Sequence, residues 1–241
     1  MKLAALVAVG LFFAQTAISQ EKTTLVGNGN LIKETHKVNT TYTKLKVNGP
    51  FEVDLVYGEP GTISIEGYEN ILHLTTMEVT EGTLSISTRN EQPVNPSRGN
   101  KIRIKVPYNR MEHVALIGCG SINSRRTLKN ENFKATVDGP GTINATIKAE
   151  NTEVWVLGSG TINICGTSQK FICRIAGSGT VKANGLEAKN VIASVSGAGE
   201  AKVNSTKAIK GRIVGSGNIA FSGRPEETDL KFSGSGNFTH D

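Results

Sequence analysis

Residues 139–180 read GPGTINATIKAENTEVWVLGSGTINICGTSQKFICRIAGSGT, and the string repeats itself with a step of 19. A Gly-x-Gly pair opens each copy. The pairs extend outward in both directions as Gly118/Gly120, Gly139/Gly141, Gly158/Gly160, Gly177/Gly179, Gly197/Gly199, Gly215/Gly217 and Gly234/Gly236. Successive steps are 21, 19, 19, 20, 18 and 19 residues. A period held this closely marks stacked supersecondary units, none able to bury its own apolar side chains alone.

Aligned on the first Gly, the copies share columns. Two residues before it stand Leu116, Val137, Val156, Ile175, Val195, Ile213 and Phe232. Four before it stand Val114, Ala135, Val154, Cys173, Ala193, Gly211 and Leu230. The column between them, Ala115, Thr136, Trp155, Arg174, Ser194, Arg212 and Lys231, is mostly polar. Alternation of period two is the mark of a half-buried strand, and no stretch shows the 3.6 period of a helix. Four residues after the first Gly comes another apolar column, from Ile122, Ile143 and Ile162 to Phe238. Each unit therefore supplies at least two strands that meet at Gly-x-Gly.

The Gly pair supplies the corner. A sharp bend between strands needs backbone angles that a Cβ forbids, often with φ above zero, and small residues between the glycines let corners stack. Copies then pair in parallel about 4.8 Å apart. The apolar columns pile along the axis, each buried Val or Ile contributing about 1.5 to 3 kcal/mol. The pattern predicts an all-β fold, a single-stranded parallel β-helix with coils of about 19 residues and Gly-x-Gly corners. An immunoglobulin-like sandwich would show irregular spacings and no columns. Asn123, Asn144 and Asn163 share one column and read as an inter-coil amide ladder, with a carbohydrate-contacting stripe as the alternative.

Outside the repeats the signals are weaker. Met1 and Lys2, the apolar run 3–14, and small residues at Ala17 and Ser19 have the order of a signal peptide, cut between Ser19 and Gln20. The apolar run is too short to span a membrane, and no later segment approaches that length. Residues 20–40, polar with GNGN at 27–30, read as a flexible leader. Alternating runs such as FEVDLVY (51–57) and KIRIKV (101–106) predict irregular coils over 41–112, ahead of regular ones over 113–241. The domain thus runs from 41 to 241.

The 241 residues include 27 Gly but one Trp, four Tyr and eight Phe, and carry a net charge of +6 with no basic run. A nucleic-acid partner is not expected. Cys119, Cys165 and Cys173 fit no zinc spacing and read as small hydrophobes with one optional disulfide.

The ordered set of Gly-x-Gly-x-Ile-Asn repeats resembles the head GIN domain of auto-transporter adhesins. NGPFEVDLVYGEPGTISIEGYENI (48–71) and KIRIKVPYNRMEHVALIGCGSI (101–122) resemble the same family's opening. The resemblance implies a right-handed β-helix shaped like pectin lyases, an adhesion role, and no established catalytic residues.

Polysaccharide lyases and hydrolases on such a scaffold need acids converging from adjacent coils. Asp138, Glu153, Glu187 and Glu200 share no column on neighbouring coils, and Glu226, Glu227 and Asp229 read as solvated charge in a turn. The corner serines Ser159, Ser178, Ser216 and Ser235 have no accompanying His. No catalytic residue, metal site or cofactor is expected.

The expected function is an exported, non-enzymatic β-helix module of periplasm, outer-membrane surface or medium, serving adhesion or interaction with a surface glycan or protein. A polysaccharide-active enzyme and a purely structural envelope protein are the rivals. One candidate surface holds Trp155, Arg174, Arg212 and Lys231, whose ring and stacked cations could grip an anionic glycan; the alternative is a solvated sheet face with protective charges. The last coil leaves a strand edge open, so self-association or docking through it is expected.

Overall fold

The computed structural model describes residues 23–96 and 100–241. The expected signal peptide, with its Ser19/Gln20 cut, lies outside the described residues. In chain order the first strands are β1 (Leu25–Val26), β2 (Leu31–Lys37), β3 (Lys44–Asn48), β4 (Phe51–Tyr57) and β5 (Thr62–Tyr68), followed by the one-turn helix α1 (Glu69–Leu72). Next come β6 (Thr75–Thr80), β7 (Thr83–Thr88), β8 (Val94–Asn95), β9 (Ile102–Tyr108), β10 (His113–Ile117), β11 (Ser121–Ser124) and β12 (Leu128–Asp138). The regular coils are β13 (Thr142–Gly158), β14 (Thr161–Gly177), β15 (Thr180–Gly197) and β16 (Glu200–Gly215), and β17 (Asn218–Ser222), β18 (Glu227–Ser233) and β19 (Asn237–His240) close the chain.

The strands wind into a parallel β-solenoid of about seven turns, with coils about 19 residues apart. Leu116, Val137, Val156, Ile175, Val195 and Ile213 pair coil to coil in one row. All six are buried. The row's last member behaves differently: Phe232 pairs with Ile213 yet is 65% exposed, because no coil of the described residues covers it. A further inward column, Phe133, Thr152, Phe171, Val191 and Ile209, lies six residues before each corner. Its one polar member, Thr152, donates to Ser168 Oγ at 2.9 Å, so the buried hydroxyl is satisfied.

The two glycines of a corner do different jobs, which corrects the expectation that the pair as a whole supplies the bend. The first ones, Gly118, Gly139, Gly158, Gly177, Gly197, Gly215 and Gly234, sit at φ between +93° and +120°, where side chains with a Cβ rarely go. The second ones, Gly120, Gly141, Gly160, Gly179, Gly199, Gly217 and Gly236, are not in the left-handed region. There the chain has already turned, and space decides. An added Cβ at Gly160 would stand 2.6 Å from the Gly139 carbonyl oxygen and 2.8 Å from that of Gly141. The same crowding repeats along the stack. A Cβ at Gly179, Gly199, Gly217 or Gly236 would meet the carbonyl oxygen of the equivalent glycine one coil earlier and a Val or Ile side chain of that coil.

The uneven steps of 20 and 18 residues are absorbed between the columns. The β14–β15 and β15–β16 registers slip near Ala183 and Glu187 and then recover, so the next corners still stack. Asn144 donates to Asn123 Oδ1 and Asn163 to Asn144 Oδ1, both at 2.7 Å, so the asparagine column is an amide ladder.

Stacking order departs from sequence order at the amino end. β3 pairs with β10 on one side and β7 on the other, and β4 lies between β11 and β9. The coil of β7 and β9 therefore stacks outside the earlier coil of β3 and β4. Gly49–Pro50–Phe51 is an eighth corner: the Cβ position of Gly120 falls on the backbone of Phe51 and Gly49. Antiparallel strands finish this end, β6 on β7, and β5 with β2 on β9. Of the span 20–40, expected as a flexible leader, residues 20–22 lie outside the described residues, while Leu25–Val26 and Leu31–Lys37 are strands. β1 pairs with β8 and β2 runs along β5, because Leu25 and Ile32 pack against the core and supply a face that overall polarity hides.

A candidate binding face around Trp155

One flat side of the solenoid is built from the strand segments that precede the corners. Trp155 and Arg174 are paired neighbours on adjacent coils; Ser194 separates Arg174 from Arg212, and Lys231 follows Arg212. The structure thus brings all four residues into one outward column. Arg174, Arg212 and Lys231 are exposed, whereas Trp155 is half-buried.

Trp155 is not an open platform. Lys134 Nζ lies 4.6 Å from the indole centroid and Arg174 Cζ 5.1 Å. Each such cation over an indole contributes about 0.5–1 kcal/mol where water still reaches it. Glu153 ties the group together, accepting from Arg174 Nη1 at 2.5 Å with Lys134 at 3.9 Å. Burial raises the Glu153 pKa, but the hydrogen bond from Arg174 and the charges of Lys134 and Arg174 outweigh it, and the carboxyl is held below its usual range. His113, in the same column as Lys134, is pulled down by burial and by Lys134 and Lys44, against Glu153. Beside this cluster lies a cleft of about 440 Å³ lined by Glu112, Asn132, Lys134, Asn151, Glu153 and Lys170. The face therefore offers exposed cations, amides and the half-buried Ile172 on a rigid sheet. A ligand would meet charge and amide first and the indole edge only second.

The acids sought for catalysis lie elsewhere. Out-of-order stacking gathers Glu52, Asp54 and Glu66 with Lys33, Arg103 and Arg125 around a second cleft of about 410 Å³. Each carboxylate is ion-paired: Glu52 with Lys101, Glu66 with Arg103 at 3.8 Å, and Asp54 with Arg125 at 3.1 Å. A search of the regular repeats alone could not find them. Among the described residues no three His, Cys, Asp or Glu side chains group as metal ligands. The three cysteines are free thiols, and burial pushes that of Cys173 up to about 12. Of the corner serines, Ser216 and Ser235 bond each other at 3.0 Å. No helix among the described residues is long and apolar enough to cross a membrane.

No curated protein matches the chain. Among solved structures it is similar to a putative adhesin from Bacteroides fragilis, with a TM-score of 0.83 and 22% identity over 90% of this chain and 100% of that one. A putative lipid binding protein from Parabacteroides distasonis gives 0.70 at 24% identity, over 91% of this chain and 100% of that one. A putative adhesin from the same organism gives 0.68 at 21% identity, over 91% and 100%. At these identities the likeness establishes the fold. Residues 41–225 match the model of the family described as "putative auto-transporter adhesin, head GIN domain", and the chain belongs to that family.

Proposed function

We propose that this domain is an exported, non-enzymatic adhesion module that holds an anionic surface glycan or protein on the face bearing Trp155, Arg174, Arg212 and Lys231. The observation that carries the reading is the continuous outward column, in which three exposed cations stand on a sheet whose rows are fixed by stacked corners. Rigid spacing lets several weak charge contacts act together on a polymeric partner. The adhesin names of structural relatives and the family description agree with such a role. Retention of the protein on an immobilised polyuronate is the test. Replacing Arg174, Arg212 and Lys231 by Ala should weaken retention by about tenfold, roughly 0.5 kcal/mol for each charge contact. Equal retention would remove this face from the account.

The same proposal includes self-association through β18 and β19. At the carboxyl end the exposed Phe232 and the partly buried Leu230 and Phe238 form an apolar end surface. A second copy meeting this surface in a two-fold arrangement would close as a dimer rather than a filament. Sedimentation over a concentration series should show a dimer that Phe232→Ser abolishes. A monomer at every concentration would rule it out.

A further inference from the structure

Where β4, β9 and β11 end, three coils place a cluster of cations and tyrosines that the adhesion reading does not use. Tyr57 and Tyr108 are register partners, their rings edge-to-face with centroids 6.0 Å apart. Arg126 on the next coil sits over the Tyr57 ring, its Cζ 5.6 Å from the centroid. These residues, with Arg110, Arg125 and Lys129, line a cleft of about 530 Å³ in which no lining side chain is acidic. Its apolar floor is Met111 and Leu128, both buried.

Two details point to a ligand. Arg110 and Arg125 are already paired, with Glu112 at 2.8 Å and Asp54 at 3.1 Å, whereas Arg126 and Lys129 have no carboxylate partner among the described residues. Tyr108 is only 3% exposed, and its hydroxyl has no hydrogen-bond partner among the described residues. A buried hydroxyl left unpaired is costly, and a guanidinium without a carboxylate partner lining the same cleft is shaped for a two-oxygen anion. The cleft is roomier than an inorganic ion needs and falls within the range typical of small-molecule sites. Asn109 and Thr127 on its wall can bond hydroxyl groups.

We propose that this cleft binds an acidic sugar, its carboxylate or phosphate ester oxygens held by Arg126, Lys129 and the Tyr108 hydroxyl, and its ring against the exposed Tyr57. The site is separate from the Trp155 face and does not depend on the adhesion reading.

Titration of the isotope-labelled chain with glucuronate, glucose 6-phosphate, glucose and inorganic phosphate tests it by NMR. Saturable shifts at Arg126 and around Tyr108 are expected with the two acidic sugars, whose relative affinity identifies the preferred anion. Glucose and inorganic phosphate should each bind at least tenfold more weakly. Arg126→Ala/Lys129→Ala should lose about tenfold or more in affinity, and so should Tyr108→Phe, through one charge-assisted hydrogen bond. Tyr108→Phe should also raise the Tm of the free protein, since it deletes an unsatisfied group; a purely structural hydroxyl would lower it. The triple alanine variant of the Trp155 face should bind as the wild type does. Unchanged affinity in Arg126→Ala/Lys129→Ala, or no saturable shift with either acidic sugar, would overturn the proposal. Inorganic phosphate binding as tightly as the sugars would overturn the assignment to a sugar.

Discussion

Gly160→Ala should be among the most damaging single substitutions in this chain, although it adds one methyl group. The new Cβ would press on Val137 Cγ1 and stand 2.6 Å from the Gly139 carbonyl oxygen and 2.8 Å from that of Gly141. Two of these contacts are backbone, so no side-chain rotation relieves them. The coils must part, and the bond from the Thr161 amide to the Gly141 carbonyl, 2.9 Å long, stretches with them. A loss of about 3–4 kcal/mol follows, in the range of severe overpacking, or about 10 °C in Tm for a chain of this size. Gly158→Ala tests the other mechanism. Its Cβ has room, the nearest backbone atom of the neighbouring coil lying at 3.5 Å, but φ is +93°. The cost there should be the left-handed penalty of about 1–2 kcal/mol. Gly58→Ala, which meets nothing within 4 Å, should stay within about 0.5 kcal/mol of the wild type. Thermal melts of the three variants should rank in that order. Equal melts for Gly160→Ala and Gly58→Ala would mean the corners are not stacked as described.

Phe171→Ala is the second large effect. The ring is fully buried in the column between Thr152 and Val191, and its removal leaves a cavity that flanking coils, fixed by parallel ladders on both sides, cannot collapse to fill. A loss of about 3–5 kcal/mol is expected, read by denaturant unfolding. Phe232→Ala makes the same chemical change at a ring that is 65% exposed in the single chain and, measured at a concentration that keeps the chain monomeric, should cost less than about 0.5 kcal/mol. If the two substitutions cost the same, the interior does not lie where the columns place it.

These contrasts also show how far the sequence could be read. Wherever one signal recurs at a fixed step, columns, corners and the asparagine ladder follow from alternation and from the demands of a tight bend. The division of labour within each glycine pair does not, because the crowding at the second glycine comes from the coil stacked against it. Legibility fails altogether where the step breaks. The Gly49–Pro50–Phe51 corner carries one glycine instead of two, and the coil stacked outside it comes later in the chain. Spacing alone could not place β3 and β4 between β7, β9 and β10, β11. The tyrosine–arginine cleft and the Glu52–Asp54–Glu66 cluster depend on that exchange of order, which brings residues 57, 108 and 126 together. The Trp155 face was half legible. Its outward column was visible, but the Lys134 that covers the indole sits diagonally across one coil, two residues from the direct partner Thr136. Diagonal neighbours on a sheet are within reach of long side chains, and a column-by-column reading leaves them out.

Distances along the corner row test the solenoid most directly. With Cys165 replaced by Ser, a spin label on the exposed Cys119 can be paired with a second at Ser178→Cys, Ser216→Cys or Ser235→Cys. Three, five and six coils separate these positions from residue 119, so the separations should rise in steps of about 4.8 Å per coil, to about 14, 24 and 29 Å. Distances that do not grow with the number of intervening coils would contradict the stacked winding on which the fold, the candidate face and the three clefts rest.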